Sequence, residues 1–162
     1  MTNSPATPAS WYGTSLSSLA RRTAIRTASI VKAEPARTPA MRGSIDQSVW
    51  EAIEAEFTLP SLEQVRGRYE TLVADPEPVL TQLVRVFIGE GTYCPGFQFR
   101  PGGALHPAVT GLFGRAMELK VPHNYFSAWM VTSSTDLAGG RPVDQLHDPD
   151  GLLSALETFA HR

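Results

Sequence analysis

A chain of 162 residues with 42% hydrophobic content is long enough for one folded unit with its own core, plus a tail. No stretch approaches the roughly 20 uninterrupted apolar residues that cross a bilayer, the N-terminus lacks the charged-then-apolar order of a secretion signal, and the lone Cys94 excludes an internal disulfide or a cysteine-built zinc site. The net charge of −2 conceals a basic stretch of +5 over residues 1–43 and an acidic body of −7 over residues 44–162, expected to reside in the cytoplasm.

Residues 1–43 are built from Ser, Thr, Ala and Pro, with Pro5, Pro8, Pro35 and Pro39 interrupting any long helix, and they are expected to form a disordered basic arm. From Ser15 to about Val31, Leu16, Leu19, Ala20 and Ala24 fall on one side of a short helix that would be marginal in isolation. Arg21, Arg22 and Arg26 lie beside that stripe and are the tail's candidate contacts to an acidic protein or nucleic acid. An Arg-rich, Ser-rich, acid-poor segment also fits a targeting peptide, which would make the chain a scaffold or cargo adaptor.

The body divides into a helical subdomain over residues 44–90 and a hairpin-plus-helix domain over 91–162. Ser44 and Gln47 form a capping-box pattern ahead of Val49, Trp50, Ile53 and Phe57, which predicts a helix over 45–57. Leu59-Pro60 breaks it, and Ser61 with Gln64 repeats the box before Leu62, Val65, Tyr69 and Leu72, a second helix running to about Val73. The dense apolar run Val79, Leu80, Leu83, Val84, Phe87 and Ile88 predicts a third helix ending near Gly89. Two helices joined by the turn at 58–61 invite a helix-turn-helix reading and a DNA-binding regulator. Asp46, Glu51, Glu54, Glu56, Glu63 and Glu70 oppose phosphate there, so nucleic acid is the weaker candidate partner.

Beyond Gly91 the pattern changes to period two. Phe97-Gln98-Phe99, the turn Arg100-Pro101-Gly102-Gly103 and Ala104-Leu105 predict a short β-hairpin with Phe97 and Phe99 on one face. Pro107 opens a helix carrying Val109, Leu112, Phe113 and Met117, which stops before Val121-Pro122. A further helix holds Tyr125, Phe126, Trp129 and Met130. Leu137 to Gly140 forms a corner, Pro142 starts a short helix through Leu146, and Pro149 starts the last one with Leu152, Leu153, Leu156 and Phe159. The fold class is thus mainly α, a compact helical domain with one short hairpin.

The run Pro95-Gly96-Phe97-Gln98-Phe99, the Leu105-His106-Pro107 step, Trp129-Met130 and then Leu137-Ala138-Gly139-Gly140-Arg141-Pro142-Val143-Asp144-Gln145-Leu146 resembles the toxin-binding domain of Xre/MbcA/ParS antitoxins over about residues 96–159. The resemblance implies a type II antitoxin that blocks a RES-type, NAD-consuming toxin with surfaces near its C-terminus. The partner-binding candidates are Trp129, Leu137, Gly139, Gly140, Arg141, Pro142, Phe159, His161 and Arg162. Trp129 suits a core anchor, Gly139 or Gly140 a positive φ, and Arg141 a carboxylate or helix carbonyls. Phe159, at helical spacing from Leu152 and Leu156, equally suits the core. A second copy of the chain is a further candidate partner.

Catalytic patterns are sparse. His106, His123, His147 and His161 are scattered rather than spaced at i, i+4, and no metalloprotease, nucleophile-elbow or phosphate-loop motif occurs. Cys94 could pair with His106 or His123 as nucleophile and base, against the simpler reading as a small buried hydrophobe. No cofactor, no metal and no enzymatic activity are expected.

Overall fold

A computed structural model describes residues 44–162. Arg21, Arg22 and Arg26 and the helix expected from Ser15 to about Val31 lie outside the described residues. The architecture is mainly helical with one two-strand antiparallel hairpin.

Helix α1 (Gln47–Phe57) buries Trp50 and Ile53, three residues apart, on one face. The capping box expected from Ser44 and Gln47 does not form. Asp46 stands next to the first turn and accepts from Ser48 N at 2.9 Å, while Gln47 donates along the helix to Glu51. Ser61 and Gln64 do form the reciprocal box ahead of α2 (Leu62–Leu72), with bonds of 3.1 and 2.9 Å.

The third helix is shorter than its apolar density suggested. Helix α3 covers only Glu77–Leu80, and Val86–Ile88 is strand β1, paired antiparallel with β2 (Gly91–Tyr93) in the register Val86 to Tyr93. The decisive feature is the alternation of β-branched Val84, Val86 and Ile88, all buried, around the half-buried Phe87. Gly89, at φ +62°, makes the turn.

With the hairpin placed earlier, the segment expected to form it does something else. Residues Gly96–Gln98 coil into a single 3-10 turn, and one bridge, Phe99 to Leu105, remains of the expected second strand. The coil also sends the two phenylalanines to different cores rather than one face. Phe97 stands edge-on to Phe57 in the larger core, and Phe99 tilts against Tyr69 in the smaller.

Helix α4 (Pro107–Glu118) opens on Pro107, with His106 Nδ1 accepting from Ala108 N, and closes through Lys120 in the left-handed region. Helix α5 (His123–Met130) is buried over most of its length. A 3-10 turn at Pro142–Asp144 replaces the short helix expected through Leu146. Helix α6 (Pro149–Ala160) returns against α4. The larger core runs across residue 90, joining Trp50 and Ile53 to Val86, Leu112, Phe126, Met130, Leu152 and Leu156. A smaller core of Val65, Tyr69, Leu80, Leu83 and Cys94 lies under α2 and α3.

Two buried side-chain amides finish the backbone pairing that a two-strand sheet leaves open. Gln98 accepts from Val84 N and donates to the carbonyls of Val84 and Pro95, while Asn124 on α5 accepts from Phe87 N and donates to Phe87 O. They fix α5 against β1 and the 96–98 turn against the segment that leads into it.

Candidate functional site

The residues singled out at the C-terminal end are built on a rigid aromatic base. Trp129 is buried on α5 and stacks on the half-buried ring of Phe159 from α6, centroids 6.1 Å apart and planes 30° apart. Phe159 therefore belongs to the packing of the end rather than to free surface.

Above this base the chain makes the corner 134–140. Ala138 takes a left-handed conformation and Gly139 a φ of +87°, and the corner closes through Gly139 N to Ser134 O and Ser134 N to Gly140 O. Of the two glycines, Gly139 is the one with positive φ. At Gly140 a Cβ would lie 2.3 Å from Gln145 Nε2, the end of a flexible side chain that crosses to the carbonyl of Leu137, so a larger residue there would displace Gln145 rather than the backbone.

Arg141 does not reach outward. Its guanidinium grips both carboxylate oxygens of Glu56 on α1, at 2.8 and 2.9 Å, and both of Asp144, at 2.7 and 2.9 Å. The Glu56 hydrogen bonds, then those of Asp144, push the Arg141 pKa up, and Arg141 holds both carboxyls below their ordinary values. Pro142, buried beside it, fixes the start of the next turn. Arg141 and Pro142 thus orient the corner, leaving Leu137, Ala138 and Gly139 at its rim.

A groove of about 560 Å³ separates this corner from α6. Leu137 and Ala138 form one wall, Gln145 an end, and Gly151, Ser154 and Thr158 the other wall. The last three recur at i, i+3 and i+7, beside the buried Leu152 and Leu156, so one helix turns an apolar face inward and a small-residue face to the groove. Arg162 pairs with Asp136 across the groove's end, and His161 Nδ1 meets the carbonyl of Glu157. Of the sequence-predicted residues, Leu137 alone lines this concavity; Gly139 and Gly140 shape the corner behind it, Arg162 reaches the lining residue Asp136, Trp129 and Phe159 stack on each other, and Arg141 turns toward α1. Sequence reasoning missed Asp136, Gln145, Gly151, Ser154 and Thr158. The spacing of Gly151, Ser154 and Thr158 was the available signal.

The groove offers hydroxyls, amides and carboxylates but no cysteine or histidine. Cys94 sits instead in the smaller core, fully buried, and burial pushes its thiol up to about 12, so it is protonated at neutral pH. His106 caps α4, and His123 is wedged between Phe87 and Phe113, with burial and then Arg85 lowering its pKa. Among the described residues, no group of three or more His, Cys, Asp or Glu side chains is placed to hold a metal, and no helix is long and apolar enough to cross a membrane. Comparisons with protein-family models, with curated proteins and with solved structures each return no match.

Proposed function

We propose that the chain is a non-catalytic protein-binding module, an antitoxin-like protein that grips a RES-type, NAD-consuming toxin through its C-terminal end. The observation that supports this best is the groove between the 137–140 corner and α6, which lies within the segment resembling the antitoxin domain. Its rim is preorganised by the Arg141–Glu56 pair and the Trp129–Phe159 stack, which limits the ordering cost of gripping a partner.

Co-expression with a RES-domain protein encoded beside this gene tests the reading. The full chain is expected to co-elute with that protein and to prevent NAD loss in the cells. Ser154→Arg and Thr158→Arg fill the groove from exposed helix positions and are expected to weaken the complex at least tenfold without lowering the melting temperature. Absence of a complex, or unchanged affinity in both variants, sinks the proposal.

A further inference from the structure

A second concavity lies far from the corner in the chain and has a different character. The smaller core opens into a groove of about 480 Å³ between the end of α2, α3 and the 102–105 turn, lined by Tyr69, Leu72, Val73, Val79, Gly103 and Leu105 among others. Tyr69 forms its floor and donates its hydroxyl to the carbonyl of Gly103, which ties the turn to α2. Leu72 and Val73, 44% and 39% exposed, are the large hydrophobic side chains left exposed among the described residues, and both stand in this groove. Leaving them in water forgoes roughly 1 kcal/mol each of burial.

The charge around the groove selects its occupant. From Tyr69 to Gln82 the chain carries Glu70, Asp75 and Glu77 and no basic side chain; Arg66 and Arg68 precede this stretch on α2, Arg66 pairing with Glu77, and Arg100 stands on the facing turn. The body as a whole holds −7 against +5 in residues 1–43. We propose that this groove is the docking site for residues 16–31 of the same chain, which set Leu16, Leu19, Ile25 and Ile30 among Arg21, Arg22 and Arg26.

Reach and concentration both favour this occupant. The twelve residues between Val31 and Ser44 span up to about 40 Å when extended. A body of this size has a radius of gyration of about 13 Å, so much of its surface lies within that reach. A tethered segment is also present at an effective concentration near the millimolar range, above that of most free competitors. The apolar side chains enter the groove, and the arginines lie over Glu70 and Asp75.

Limited trypsin digestion of the full chain tests this directly, because the arginines are themselves cleavage sites. Cleavage after Arg22 and Arg26 is expected to be at least tenfold slower than after Arg37 and Arg42, independent of protein concentration. The protection is expected to vanish in Leu72→Asp/Val73→Asp, and equally in Leu16→Asp/Leu19→Asp, which alters no residue of the folded body. Far-UV circular dichroism checks that both double variants stay folded. Equal rates at all four arginines in the parent chain, or protection that survives both double variants, overturns the proposal. Protection that rises with protein concentration also overturns it, assigning the groove to a second copy.

Discussion

Arg141 closes its guanidinium fork on Glu56, 85 residues earlier in the chain, with Nη1 to Oε1 at 2.8 Å and Nη2 to Oε2 at 2.9 Å. This pair ties the Gly-Gly-Arg-Pro corner to α1. Both side chains are partly exposed, so a double-mutant cycle of Arg141→Ala with Glu56→Gln is expected to give a coupling of about 1 kcal/mol, the upper end for such pairs. Arg141 lowers the Glu56 pKa from its ordinary 4.5. The coupling is therefore complete above that value and lost as pH falls through the lower folded value. Urea denaturation at a series of pH values between 3 and 7 checks it.

Glu54, one turn from Glu51 on the same helix, behaves in the opposite sense. Its side chain is 3% exposed with Oε2 unpaired, and burial, then Glu51, raises its pKa from 4.5 to about 7. Between those values the folded chain holds a proton that the unfolded chain releases. Stability is expected to fall as pH rises through this window, by on the order of 3 kcal/mol, and to level off above it. Glu54→Gln removes the slope. A parent chain equally stable at pH 5 and pH 8 contradicts this.

The helix boundaries around residue 60 were legible because they rest on local chemistry: Pro60 cannot continue α1, and the Ser61–Gln64 box needs only four consecutive residues. The fate of residues 84–99 was not local. Val84, Phe87 and Pro95 have their backbone groups met by the amides of Gln98 and Asn124, the latter 37 residues from its partner, and no period in the sequence announces such a contact. At the candidate site, the resemblance directed attention to the 137–146 corner. The groove's second wall on α6 depends on how that helix is rotated, which the buried Leu152 and Leu156 determine. Arg141's turn toward α1 depends on Glu56, which no motif links to it.

Glycine positions separate into opposite outcomes. A Cβ on Gly96 would lie 1.8 Å from the Phe57 carbonyl oxygen, where the chain runs alongside residues 58–60, so Gly96→Ala is expected to cost at least about 2 kcal/mol. Gly114 in the middle of α4 has nothing within 4 Å of its Cβ position, and Gly114→Ala is expected to stabilise by about 0.5–1 kcal/mol. Lys120 holds φ +61° at the end of α4, with Val121 N bonded to Ala116 O and Lys120 N to Met117 O. That is the helix stop which glycine fits best, so Lys120→Gly is expected to gain up to about 1 kcal/mol. Thermal melts of the three variants check the signs together.

Gln98 carries the strongest expectation for the fold. Its buried amide makes three hydrogen bonds of 2.8 to 3.0 Å, to both backbone groups of Val84 and to Pro95 O, and so fills the place a third strand would hold beside residue 84. Gln98→Leu keeps nearly the same volume, so a purely apolar contribution would survive the change. It instead strands the N–H and the carbonyl of Val84 away from water, each at a cost of about 1–3 kcal/mol unless water enters, while Pro95 O keeps the backbone N–H of residue 98 at 3.5 Å. The expected loss is at least about 2 kcal/mol, large beside a typical total of about 5–15 kcal/mol. Hydrogen exchange distinguishes the cause: the Val84 amide should lose its protection in Gln98→Leu, while the Phe87 amide, held by Asn124, keeps it under conditions where the chain stays folded. A stable variant with Val84 still protected would show that the backbone pairs elsewhere and that Gln98 is merely packed.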